Sequence, residues 1–117
     1  MTPFDSSVLE ELKQLEGDRY PTLLQDLLEL YVDWAPGVVA KIEEAVKTQD
    51  HPTLESEAHS LKSSSGNLGA TKLQQLCHDL EKCGVKHDQA GAERTFVLFK
   101  SECQKVVAAA QALLAKY

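Results

Sequence analysis

Four imidazoles and three thiols are the side chains of this chain best suited to nucleophilic or metal chemistry: His51, His59, His78 and His87, and Cys77, Cys83 and Cys103. The thiols make an odd count, with no pair at the two-residue zinc or redox spacing, and so predict reduced cysteines in a cytosolic domain. His51 and His87 fall at expected helix boundaries, where a solvated or capping role is the ordinary one. His59 is different. On a wheel of ~100° per residue it points roughly 140° away from the stripe Leu54, Ala58, Leu61, Ser65 and Leu68, and so faces outward. Ser56, Ser63 and Gly66 share its side, with Glu55 and Lys62 along one flank. Exposed helix faces usually carry Lys, Glu and Gln, whereas this one is bare around a single ring. Imidazole has an unperturbed pKa of about 6.5, which leaves a neutral nucleophilic nitrogen near neutral pH. A bare face lets another protein's surface approach that nitrogen, which is a docking geometry and not a metal cage. Lys62, one turn on, puts a cation where a phosphoryl group on His59 would carry negative charge.

The elements that must position this ring read as helices. Six glycines and four prolines act as punctuation, and the apolar spacing between them is helical. Val8, Leu9, Leu12 and Leu15 predict a short first helix capped by Asp5 or Ser6 and ended by Gly17. Thr22 to Trp34 is apolar around most of its circumference and is expected to be largely buried. Pro36 interrupts it, but Val38, Val39, Ile42, Ala45 and Val46 resume the pattern, so a kink or a fresh helix is expected there. Asp50 caps the His59 helix, whose first turn holds Pro52. A following helix runs from Thr71 to Cys83 with Leu73, Leu76, Cys77, Leu80 and Cys83 inward, and Gly84 is its expected terminator. Lys86 to Gly91 reads as a loop. Phe96, Phe99, Cys103, Val106, Ala110, Leu113 and Tyr117 then repeat at three and four residues, a bundle seam. No stretch alternates with period two. The expected fold is all-α: an up-and-down antiparallel four-helix bundle with an additional N-terminal helix, one domain over residues 1–117.

Composition narrows the function. A chain of 117 residues can bury a real core but cannot hold a nucleotide-binding domain beside a substrate domain. A net charge of −6, with no basic run, argues against nucleic acid as a partner. No apolar stretch is long enough to span a membrane, and the start from Met1 to Asp5 lacks a charged-then-apolar leader, so no secretory signal is expected. No Gly-rich phosphate cradle followed by Lys-Ser or Lys-Thr occurs, and the chain is expected neither to bind ATP nor to phosphorylate itself. Two other readings compete. One is a helical adaptor whose surface histidine is incidental. The other is a metal-binding bundle using His59, His78 and nearby carboxylates; bundle metal sites favour Glu-x-x-His, however, and the residue three before His59 is Ser56.

Residues 58–70, Ala-His-Ser-Leu-Lys-Ser-Ser-Ser-Gly-Asn-Leu-Gly-Ala, resemble the signature of histidine-containing phosphotransfer (HPt) domains. The resemblance extends through Leu73, Leu76, Cys77, Leu80 and Glu81 and upstream through Leu27 to Asp50. It implies that His59 is the phosphoacceptor and Lys62 its phosphate-side partner, with Leu61, Leu68, Gly69 and Ala70 shaping the helical hairpin. It also implies a phosphorelay intermediate that takes a phosphoryl group from a receiver-domain aspartyl phosphate and passes it to another receiver aspartate. Response-regulator receivers and a hybrid sensor kinase are the implied partners. Mg²⁺ is expected on the receiver and no cofactor or metal on this chain, a cytoplasmic monomer. In one respect the chain departs from the family: Ser63 stands where the family usually has Gly, and its hydroxyl can bond imidazole or phosphate or obstruct a partner. Folding back at Gly69 brings His78, Glu81 and Lys82 alongside His59. With Gln74, these are the candidates to orient the ring, although each alone reads as a solvated flank residue.

Overall fold

A computed structural model describes residues 2–117; Met1, where the leader reading begins, lies outside them. Five helices follow in order: α1 (Ser6–Leu15), α2 (Leu23–Lys47), α3 (His51–Asn67), α4 (Thr71–Lys86) and α5 (Gln89–Leu114). Three begin at an aspartate whose carboxylate accepts an otherwise unpaired backbone N–H: Asp5 from Ser7, Asp50 from Thr53 and Asp88 from Gly91. The start of α2 is satisfied from a distance, Leu24 N donating to Glu16 Oε1 at 3.1 Å.

Connections of two or three residues turn each of α3, α4 and α5 back against its predecessor, as expected for an up-and-down bundle. The ring closes because α2 packs on α3 and α5, and α4 packs on α3 and α5; α1 lies against α2. The described residues contain no strand. The α3 stripe predicted from the wheel, Leu54, Ala58, Leu61, Ser65 and Leu68, is buried throughout. A fully buried leucine contributes about 1.5–3 kcal/mol over an exposed one, so this stripe and its partners Leu28, Ile42, Leu73, Leu80 and Phe99 hold the His59 helix in place. The one polar member, Ser65, meets Tyr31 Oη at 2.9 Å, which satisfies both hydroxyls.

Several expectations need correction. No fresh helix starts at Pro36: α2 is one helix through it, with Pro36 exposed while Tyr31, Ala35, Val38 and Ile42 bury one continuous stripe, and shared packing outweighs the single missing hydrogen bond. The Thr22 to Trp34 segment is not largely buried, since Leu30 is 66% and Trp34 40% exposed. Gly84 does not end α4. It is buried within the helix, and an added Cβ would lie 2.9 Å from both Glu55 N and His51 O, so the missing side chain lets α4 approach the start of α3. The helix ends instead at His87, in the left-handed conformation (φ 55°). The expected Lys86 to Gly91 loop therefore shrinks to His87 and Asp88. Cys83 is only half-buried, and Tyr117 lies exposed beyond the end of α5. His51 is not solvated but buried.

Candidate functional site

His59 stands on the outer face of α3 with its side chain 62% exposed, held there because Ala58 and Leu61 beside it are fully buried. The hairpin at its C-terminal end brings α4 alongside. Gly69 adopts φ +80°, a backbone state that costs glycine little, and its carbonyl accepts Asp5 N at 2.7 Å. Leu68 and Ala70 on either side are buried, which ties the turn to the core.

Of the four α4 residues considered for orienting the ring, Glu81 is the one bonded to it. Its Oε2 lies 2.7 Å from His59 Nδ1 and its Oε1 2.5 Å from Lys62 Nζ. Burial of Glu81 pushes its carboxyl pKa up, but the hydrogen bonds from Lys62 and His59 outweigh that and hold it below the usual value of 4.5. The carboxylate is therefore ionised and can only accept, so Nδ1 must carry the ring proton and a neutral ring leaves the lone pair on Nε2. His78 and Lys82 are exposed, and neither is bonded to His59. Gln74 instead lies over Gly66: a Cβ there would come within 3 Å of the Gln74 amide.

Within the expected small-residue patch, Ser56 and Ser63 are exposed, while Gly66 is half-covered. The Ser63 hydroxyl donates back to the His59 carbonyl at 3.3 Å and not to the ring, so it adds little bulk beside Nε2. Lys62, expected as a phosphate partner, is paired with Glu81 here and is one carboxylate away from the imidazole.

Sequence reasoning missed one further feature. Leu27, Leu30, Tyr31 and Trp34 of α2 and Leu68 line an open apolar groove of about 340 Å³, with Ser64 and Asn67 at its rim. It runs along the α2 side of α3, opposite Glu81. The signal was present as an apolar circumference on α2 wider than two neighbouring helices can cover. Among the described residues no three His, Cys, Asp or Glu side chains gather as a metal-binding group, and no helix is long and apolar enough to cross a membrane.

Comparison with known proteins places this geometry in context. A family model described as "Hpt domain" matches residues 26–115. The chain is 28% identical over 87 residues to multistep phosphorelay regulator 1 of Schizosaccharomyces pombe, covering 74% of this chain and 30% of that protein. It is 31% identical over 77 residues to the aerobic respiration control sensor protein ArcB of Escherichia coli, covering 66% of this chain and 10% of that protein. It thus spans under a third of either relative. The crystal structure of histidine-containing phosphotransfer protein B (HptB) from Pseudomonas aeruginosa superposes with a TM-score of 0.86 at 25% identity, covering 97% of this chain and 96% of that one.

Proposed function

The chain belongs to the Hpt domain family, and from that premise we propose that it is a phosphorelay intermediate with His59 as its phosphoacceptor. The observation that carries the reading is the ionised Glu81 carboxylate on His59 Nδ1, which leaves the exposed Nε2 as the nucleophile. Nε2 attacks the phosphorus of a receiver's aspartyl phosphate. As the N–P bond forms, the P–O bond to aspartate breaks and the aspartate leaves as a carboxylate. The ring gains positive charge, and Glu81 stabilises it across the Nδ1–H bond; the reverse sequence hands the phosphoryl to a second receiver. Lys62 Nζ, already beside this carboxylate, supplies a cation for the transferred group.

The partners in this reading are receiver domains and a hybrid sensor kinase. The receiver brings the acidic pocket and Mg²⁺, and this chain brings a positioned ring. Docking uses the exposed Ser56 and Ser63 together with the apolar α2 groove next to them, which fits an apolar helix face on the receiver. The chain acts as a phosphocarrier and not a kinase, as a monomer in the cytoplasm. Incubation with a phosphorylated receiver domain is expected to label it with an acid-labile, base-stable phosphate, and His59→Gln should abolish the label. Equal labelling of that variant would overturn the assignment.

A further inference from the structure

A pair of histidines lies at the end of α3 away from the hairpin, and the relay chemistry makes no use of it. His51, the first residue of α3, is buried, and its Nδ1 lies 3.2 Å from Nδ1 of His87, the exposed residue that ends α4. The two rings meet edge to face, with centroids 4.8 Å apart.

The tautomers follow from the surrounding bonds. The Gln89 amide nitrogen donates to Val46 O at 2.8 Å and to Glu93 Oε1 at 2.9 Å. Its Oε1 is therefore the acceptor facing His51 Nε2 at 3.3 Å, and His51 carries its proton on Nε2. The neutral His51 ring thus directs its Nδ1 lone pair at His87, which donates from Nδ1. An outer hydrogen bond that fixes a ring and its tautomer is the support that metal-bound histidines need. His87 faces its partner from a left-handed backbone (φ 55°), uncommon for any residue but glycine.

We propose that His51 and His87 form a site for a borderline divalent transition metal, with Zn²⁺ the simplest case. Two Zn–N bonds of ~2.0–2.1 Å at a tetrahedral angle set their nitrogens about 3.3 Å apart, close to the separation already present, so each ring needs only to turn its Nδ1 roughly 35° off the N–N line to share the ion. Imidazole is a preferred ligand of such ions. When the ion enters, the His87 proton moves from Nδ1 to Nε2, so both Nδ1 lone pairs meet the metal and no proton is released. No third His, Cys, Asp or Glu side chain joins them among the described residues, and water fills the remaining positions. The ion ties the start of α3 to the α4–α5 connection, roughly 12 Å along the helix from His59 at ~1.5 Å per residue. The proposal is independent of phosphate transfer.

The test is titration of Zn²⁺ alone into the full chain in a non-chelating buffer, followed by calorimetry and thermal unfolding. One saturable equivalent and a raised midpoint are expected, because an ion that binds only the folded chain stabilises it. His87→Asn should weaken binding at least tenfold with unchanged far-UV circular dichroism, since Asn tolerates the left-handed backbone. His59→Gln should bind as the parent does. Absence of saturable binding up to millimolar Zn²⁺, parent-like binding by His87→Asn, or loss of binding in His59→Gln would each overturn the proposal.

Discussion

At the scale of single residues, the account turns on Glu81 more than on His59. An exposed imidazole is an ordinary surface group until something fixes its tautomer, and the Glu81 carboxylate does this while also holding Lys62. Glu81→Ala frees the ring to rotate and removes the negative charge opposite the developing imidazolium. Transfer from a phosphorylated receiver should slow about 10- to 100-fold, the range found when a ring-orienting partner is lost elsewhere. The fold should be kept, because Glu81 is not part of the buried core and its removal opens no cavity there. Rapid-quench kinetics measure this, and a parent-like rate would remove Glu81 from the mechanism. The wheel could show that His59 faced outward, because that follows from spacing alone. Choosing among Gln74, His78, Glu81 and Lys82 required the angle and offset between two helices, which no local pattern encodes.

At the scale of the elements, the starts of α1 and α3 and the buried stripe of α3 were legible, and the contacts made across the bundle were not. Asp5 and Asp50 act through atoms two or three residues away, so their capping could be read directly. Gly84 was misread because its purpose lies across the bundle, in the backbone of His51 and Glu55. Gly84→Ala should therefore destabilise the chain by about 1–3 kcal/mol, the usual cost of forcing volume into a packed contact, despite alanine's better helix propensity. Urea denaturation measures it, and a stabilised variant would show that the two helices are not held in close approach. The same reasoning covers Leu30 and Trp34: periodicity identifies an apolar surface but not how much of it the neighbouring helices cover. His51 was misread likewise, since the Gln89 and His87 that enclose it are distant in sequence.

At the scale of the whole molecule, a rod of 47 × 26 × 22 Å carries one core and a net charge of −6, and its stability should fall at both ends of the pH scale. Burial raises the Tyr31 and Cys77 ionisations and pushes the Cys103 thiol up to about 12. A raised folded-state value means that stability is complete below the unfolded value, near 9 for a thiol, and is lost as pH climbs toward the folded one. Glu81 has the opposite sign. Its lowered value gives stability that is present above 4.5 and lost as pH falls through the folded value. Thermal midpoints should thus form a plateau around neutral pH with a steep alkaline limb. A midpoint constant from about pH 9 to 12 would contradict the burial of these groups.

The central claim is that the lone pair presented to a partner is on Nε2 of His59. Nitrogen-15 NMR of the chain after labelling by a phosphorylated receiver reads this directly through the phosphorus–nitrogen coupling. The account predicts phosphate on Nε2 of His59, with a protonated Nδ1 still bonded to Glu81; phosphate on Nδ1, or on any other histidine, would contradict it.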